Sequence, residues 1–181
     1  STLSSNATLS VPLSEYGDFI WLIGPRQDFT FRNGVTYLVN SRVELFGTTT
    51  IQGGCVVKPD WHYTNSTVAV IGNLVCKMDD PNLPAFFTSV DDDSLGQVIN
   101  ISTGFPEMYS NGCPYLDLSA AQIPSSGLGN LRVCFADQGI STPDSSKRLD
   151  LWHSQFLQCN APVWAGQDSS VAFHNVLLGA C

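Results

Sequence analysis

The segment Leu149-Asp-Leu-Trp-His-Ser-Gln-Phe-Leu-Gln-Cys159 decides the fold, because a related segment follows it closely in the chain. The second copy is Val171-Ala-Phe-His-Asn-Val-Leu-Leu-Gly-Ala-Cys181, and the two align without a gap. The equivalent positions are Leu149 with Val171, Leu151 with Phe173, His153 with Asn175, Phe156 with Leu178 and Cys159 with Cys181. A weaker copy lies at 131–140. Repeats of this length, about 22 residues, are typical of solenoids, in which each coil buries its apolar face on the next.

The rest of the chain favours short strands rather than helices. Helical periodicity is almost absent, and Gly, Asn, Asp and Pro separate the runs of β-favouring residues. These runs are 35–39, 42–46, 48–51, 55–57 and 67–71. A β-sandwich usually has longer strands joined by hairpins. The predicted fold is therefore all-β, a right-handed parallel β-helix with a long loop excursion in the middle.

The length of 181 residues predicts one domain. We expect a cap segment at 1–32, the first coils at 33–76 and the later coils at 127–181. The stretch 77–126 is rich in proline and has few long β runs, which indicates a loop-rich insertion. A short helix is expected within it, near 118–122. Long ordered loops on a rigid scaffold often carry function.

The charge excludes some partners. Charged residues make up 13% of the chain and the net charge is −8. A nucleic acid is a poor partner, because phosphate binding needs a basic face. Anionic membranes are disfavoured for the same reason. No stretch approaches the roughly 20 apolar residues of a membrane-spanning helix. Cations, neutral glycans and basic proteins stay open as partners.

Six cysteines suggest an oxidising compartment, secreted or at the cell surface. None lies in a C-x-x-C pair, which is the main sequence signal of zinc and redox sites, so neither kind of site is indicated. Cys55–Cys76, Cys113–Cys134 and Cys159–Cys181 have nearly equal separations along the chain, each close to the length of the repeat. Stacked coils would bring each pair to bonding distance, which predicts three disulfides. Pairing of Cys134 with Cys159 is the main alternative, and free thiols buried in the core are another.

Two segments support a resemblance. The segment Tyr37-Leu-Val-Asn-Ser-Arg-Val-Glu-Leu-Phe-Gly-Thr-Thr-Thr-Ile-Gln-Gly-Gly-Cys-Val-Val-Lys58 resembles a coil of secreted bacterial β-helix proteins of the pectate-lyase-like superfamily. Phe87-Thr-Ser-Val-Asp-Asp-Asp-Ser-Leu-Gly96 is similar to a segment that follows such coils in uncharacterised bacterial surface proteins. The stretch 131–181 resembles the later rungs. The superfamily includes polysaccharide lyases, glycoside hydrolases, adhesins and phage tailspikes, so the resemblance leaves the activity open.

The acidic run Asp91, Asp92 and Asp93 is the candidate metal site. Hard cations prefer several carboxylate and carbonyl oxygens, so calcium is the only cofactor that the sequence suggests. Asp79 and Asp80 would add further ligands. The alternative is a solvated acidic loop that binds no ion.

Catalytic residues cannot be assigned from the sequence. A glycosidase needs two carboxyl groups about 5–10 Å apart, and Asp137 and Asp150 are available besides the acidic run. A lyase of the resembled superfamily would use a basic residue with calcium, and Arg132 and Lys147-Arg148 lie in the repeat region. No catalytic motif of the superfamily maps onto them.

Three further groups of residues are weaker candidates. His153 and His174 fall one position out of register in the repeat, so with His62 they are not expected to form a metal site. The aromatic side chains that are candidates for stacking on sugar rings are Trp21, Trp61, Tyr63, Tyr109, Trp152 and Trp164. N-glycosylation patterns occur at Asn6, Asn65 and Asn100.

The expected function is a non-catalytic extracellular structural or adhesive module. Solenoid ends carry unpaired strand edges, which favour self-association into a surface layer or filament. The alternative is a polysaccharide-active enzyme, a lyase or glycoside hydrolase, or a related protein that only binds glycans.

Overall fold

The β-favouring runs form short strands, and the strands stack into a β-solenoid of about 6 turns. This computed structural model describes residues 14–16, 19–77, 80, 82–108, 112–142 and 148–181. No helix forms within these ranges. The strands are β1 (Ser14–Tyr16), β2 (Phe19–Leu22), β3 (Arg26–Gln27), β4 (Thr30–Phe31), β5 (Thr36–Val39), β6 (Arg42–Gln52), β7 (Val56–Pro59), β8 (Thr67–Lys77), β9 (Ala85–Phe87), β10 (Pro114–Asp117), β11 (Leu128–Gly129), β12 (Leu131–Cys134), β13 (Gln138–Ser141), β14 (Arg148–Trp152), β15 (Gln155–Leu157), β16 (Ala161–Trp164), β17 (Ser170–His174) and β18 (Leu177–Gly179).

Three sheets run along the solenoid. Sheet A has the order β1-β2-β5-β7-β9-β12-β15-β18, and sheet C has the order β11-β14-β17. Sheet B has the order β16-β13-β10-β8-β6-β3, with β4 also paired to β6. β1 pairs antiparallel with β2 at the edge of sheet A. The other strand pairs of the described residues are parallel, which confirms the predicted parallel β-helix.

Side chains that point alternately inward and outward along each strand form the interior of the solenoid. In β6, Val43 and Leu45 are buried while Arg42 and Phe46 are exposed. Successive side chains of a strand point to opposite faces, so every second residue enters the solenoid. Most of the buried apolar residues form one continuous core from Leu22 in β2 to Cys159 after β15.

The sequence repeat is confirmed in register. β14 pairs with β17 through Leu149–Val171 and Leu151–Phe173, and β15 pairs with β18 through Phe156–Leu178, at the same offset. Trp152, not His153, lies beside His174. The two histidines therefore take different directions, as predicted.

The polar position of the repeat is a corner of the coil. Asn130, His153 and Asn175 succeed one another on neighbouring rungs with φ of 53°, 48° and 53°. Asn and His tolerate this left-handed conformation better than most residues. The side chains of His153 and Asn175 also form a hydrogen bond of 2.8 Å.

The length of a turn is not uniform along the solenoid. In sheet A, Arg132 pairs with Gln155 and Gln155 with Leu177, so the last two turns are nearly equal. An early turn is shorter, since Thr36 pairs with Val56. The interval from β9 to β12 is the longest in this sheet, with Phe86 paired to Arg132. The predicted repeat length therefore describes the last rungs best.

The middle of the chain returns to the solenoid more often than its composition suggests. The stretch 77–126 includes β9 of sheet A and β10 of sheet B. The excursion from the coil is the segment between these strands. The expected helix near 118–122 is wrong, because these residues form a turn and Gln122 makes a β-bridge with Asn73.

The six cysteines form no disulfides in the structure, and none lies at disulfide distance from another. The register of the strands explains why two of the three predicted disulfides do not form. Cys76 lies opposite Ile51 rather than Cys55. Cys113, which contacts Asn65, precedes Pro114, and Pro114 pairs with Gln138 rather than with a neighbour of Cys134.

The third predicted pair is in register without being bonded. The pairing of Leu157 with Gly179, carried further along both strands, brings Cys181 level with Cys159. Each thiol instead donates to backbone carbonyls, Cys159 to Val133 and Cys181 to Phe156. Cys134 lies opposite Leu157, so the alternative pair Cys134–Cys159 is also not formed.

Candidate functional site

The excursion packs on the outer face of sheet A. Trp21, Leu38 and Lys58 lie side by side on successive strands of this sheet, on its outward side. Val90 and Ile99 of the excursion bury themselves against Leu38 and form a second, smaller core outside the solenoid. This core fixes the segment 88–108, called the braced loop below, over the first rungs.

A buried lysine holds the braced loop. The side chain of Lys58 is 0% exposed. Its Nζ donates to the carbonyl oxygens of Asp92 and Gln97, each at 2.8 Å. Burial lowers the pKa of Lys58, while the charges of Asp92, Asp93 and Asp91 oppose that lowering. The acidic run therefore lies close to a cation supplied by the chain itself.

Two carboxylates of the acidic run point into the protein. Asp91 and Asp92 are both buried. Asp91 accepts hydrogen bonds from Trp61 Nε1 and from the backbone N–H of Thr103. Asp92 accepts from Thr88 Oγ1 at 2.7 Å. Asp91 thus ties Trp61 to the loop, whereas Asp92 holds the loop internally, as expected of buried charges that need hydrogen-bonded partners.

The donor set for calcium is not assembled among the described residues. Asp93 is exposed and accepts from Ser102 Oγ at 2.7 Å. Asp80 accepts from the N–H of Asn82, and Asp79 lies outside the described residues. Across the described ranges, no group of three or more His, Cys, Asp or Glu side chains is placed to hold a metal ion. The predicted calcium site stays a prediction.

A glycine lets the braced loop approach the sheet. Gly96 has φ of +64°, and a Cβ there would lie 2.5 Å from Thr36 Oγ1. Thr36 Oγ1 also accepts from the N–H of Gln97 at 2.9 Å. Any larger residue would therefore be strained and would push the loop away from sheet A.

An aspartate–histidine pair follows β7 and was not recognised from the sequence. The buried Asp60 accepts from the N–H of His62 at 3.0 Å, and its Oδ1 lies 2.8 Å from His62 Nδ1. The rings of Trp61 and His62 stack with centroids 3.7 Å apart. The signal was the triplet Asp60-Trp61-His62 directly after a buried strand. This pair holds the corner beneath the braced loop and orients Trp61 toward Asp91.

A groove of about 660 Å³ lies on sheet A beyond the braced loop. Phe86, Arg132, Gln155 and Leu177 line it as neighbours on four successive strands. The corner residues Asn130, His153 and Asn175 line it as well. Among the described residues that line the groove, Arg132 alone has a formal charge.

The other carboxylates proposed for catalysis are engaged in hydrogen bonds within the protein. Asp137 accepts from the N–H of Gly112 at 2.9 Å and from Asn160 Nδ2 at 3.0 Å. Asp150 accepts two hydrogen bonds from Arg148, which hold the pKa of its carboxyl below the usual range. Lys147 lies outside the described residues.

The second histidine–carboxylate pair belongs to sheet C. His174 Nε2 lies 2.7 Å from Asp150 Oδ1, and its ring stacks on Trp152 at 3.7 Å with an interplanar angle of 9°. The ring of His62, in contrast, pairs with Asp60. The expectation that the three histidines form no shared metal site stays a prediction.

The last rung, β16 to β18, leaves apolar side chains uncovered. Phe173 lies beside the buried Leu151, and Leu178 beside the buried Phe156, so both occupy inward-facing positions. They are nevertheless 48% and 51% exposed. Trp164, at 56%, adds to this surface.

The glycosylation candidates are surface residues where the structure describes them. Asn65 and Asn100 are exposed in turns. Asn6 lies outside the described residues, as does Tyr109 among the aromatic candidates.

Comparison with protein-family models finds no match for the chain. Comparisons with curated proteins and with solved structures also find none. In the described residues, no helix is long and apolar enough to cross a membrane.

Proposed function

We propose that the chain is a non-catalytic structural or adhesive module that works outside the cell, related to the pectate-lyase-like β-helix proteins. The low share of charged residues, 13%, supports an extracellular setting. Aspartate and histidine are residue types that often take part in catalysis. Here the acidic run and two of the histidines form contacts that hold corners and loops in place.

The observation that carries self-association is the last rung. Its inward-facing residues Phe173 and Leu178 are half exposed. β17 and β18 are edge strands of sheets C and A, and an uncovered edge is a template for pairing with another chain. Exposed apolar surface of this kind marks interaction sites. Pairing of this rung between two chains would cover these residues, and a layer or filament would need a second contact surface as well.

Sedimentation of the chain over a wide range of concentrations tests this proposal. We expect concentration-dependent association that Leu178→Arg weakens at least about tenfold, because a buried unpaired charge is strongly unfavourable. Tyr63→Arg is the matched control, since Tyr63 is also 51% exposed and does not belong to the last rung. Circular dichroism shows whether each variant is folded. Monomers at every concentration would contradict self-assembly.

Glycan binding is the second candidate, and the groove on sheet A favours it. The side chains of Gln155 and Arg132 provide polar groups along a cleft that crosses several rungs. Binding sites combine apolar walls with a few placed polar groups. A screen of neutral and acidic glycans, with and without calcium, separates binding or cleavage from the purely structural role.

A further inference from the structure

The braced loop presents an apolar surface of its own. Val98, Ile101, Phe105 and Met108 are 61%, 42%, 76% and 47% exposed. We call these four residues the apolar loop face. The same loop already has a small core of its own, in which Val90 and Ile99 are buried. The four exposed side chains are therefore not required for folding the loop.

Hydrogen bonds hold the backbone on which this face is displayed. Gln97, next to Val98, is fixed through both its N–H and its carbonyl group, by Thr36 and Lys58. Thr103 donates to the buried Asp91, and the N–H of Phe105 donates to Thr103 Oγ1 at 3.3 Å. A surface held in this way loses little conformational entropy on binding. Rigid apolar anchors are the usual centre of a protein–protein interface.

The charges around the face select the partner. The exposed Asp93 and Glu107 flank it. No lysine or arginine occurs in the sequence between Lys77 and Arg132. Like charges across an interface are strongly unfavourable, so a second copy of this acidic chain and an anionic membrane both fit poorly. A basic rim on the partner would complement the acidic one.

We propose that the apolar loop face docks on a protein surface that has an apolar patch rimmed by lysine or arginine, such as one face of an amphipathic basic helix. Phe105, the most exposed of the four, is the central anchor. The face is distinct from the last rung, so this inference stands or falls separately from self-association.

Binding of a fluorescently labelled helical Leu/Lys peptide to the full chain, followed by anisotropy, tests the inference. We expect saturable binding that weakens with added salt, because the rim charges are solvent-exposed. Phe105→Ser should weaken it at least about tenfold, as expected for a central aromatic anchor. Glu107→Gln should weaken it less and reduce its salt dependence. Tyr63→Ser, which changes an exposed aromatic residue outside the face, should bind like the unchanged chain.

Control peptides and vesicles make the test decisive. A Leu/Glu peptide of the same length should not bind, and neither should a Ser/Lys peptide. The inference is overturned if the Leu/Lys peptide does not bind or if Phe105→Ser binds it unchanged. Equal binding of the Leu/Glu peptide would also overturn it. Phe105-dependent binding to phosphatidylcholine vesicles in place of the Leu/Lys peptide would assign the face to a lipid surface and reject the proposal.

Discussion

At the scale of single residues, Lys58 explains what the acidic run does. The sequence shows three consecutive aspartates, and a bound cation is a reasonable prediction from that pattern. In the structure, the side chain of Lys58 is buried beside this run, and the charges of the three aspartates favour its protonated form. It contacts the backbone carbonyl of Asp92, which is distant in the sequence. No sequence pattern indicates a contact between residues so far apart in the chain. The acidic residues of the site could therefore be predicted from the sequence, but their partner Lys58 could not.

Lys58→Met should lower the free energy of unfolding by about 2–4 kcal/mol, because it leaves the carbonyl groups of Asp92 and Gln97 without this donor and removes a positive charge near three aspartates. Urea denaturation measures the change. Arg148→Met is the control, since Arg148 forms an exposed ion pair with Asp150 and little change is expected. A loss for Lys58→Met no larger than that of the control would contradict the role of Lys58 as a brace.

The pH dependence gives this variant a second readout. Burial lowers the pKa of Lys58 below its ordinary value of 10.5 in the unfolded chain. Between these two pKa values the unfolded chain binds more protons, so the contribution of Lys58 to stability rises with pH in that window. The difference in unfolding free energy between the unchanged chain and Lys58→Met should therefore grow as the pH rises toward 10.5.

At the scale of strands, register decides which residues meet. The repeat predicts the pairing of β14 with β17 correctly, because equivalent apolar side chains stack on neighbouring rungs. Equal spacing of cysteines along the chain, in contrast, does not predict which cysteines lie opposite each other. The separation of Cys55 from Cys76 is shorter than the rung from β6 to β8, which places Ile51 opposite Cys76. Loop insertions change the length of each turn, and the sequence does not reveal where the chain returns to the coil.

Thiol labelling tests the cysteines. Burial raises the pKa of both Cys55 and Cys159 to about 12, whereas Cys181 is exposed. Because the thiolate is the reactive form, Cys55 and Cys159 should react with Ellman's reagent at pH 8 at least about tenfold more slowly than Cys181. After unfolding in guanidinium without reductant, all six cysteines should react. Fewer reactive thiols would show that disulfides form, as the sequence alone suggests.

At the scale of the whole molecule, the sequence predicts the coil better than it predicts the braced loop and the groove on the coil. The parallel β-helix follows from the repeat and from short β runs with frequent corners, and it is confirmed. The braced loop is recognisable only as an irregular segment, because its fold depends on contacts with Trp61 and Lys58 on distant parts of the chain. The groove likewise arises only when Phe86, Arg132, Gln155 and Leu177 are brought side by side.

Parallel stacking of rungs is the claim on which the rest depends, and inter-strand nuclear Overhauser contacts test it most directly. The account predicts backbone contacts between β14 and β17 at a constant offset, that of Leu149 with Val171, and the same offset between β15 and β18. In an antiparallel arrangement the residue numbers of contacting pairs would instead have a constant sum, and close α-proton pairs would appear. That second pattern would contradict the β-solenoid and every site described on it.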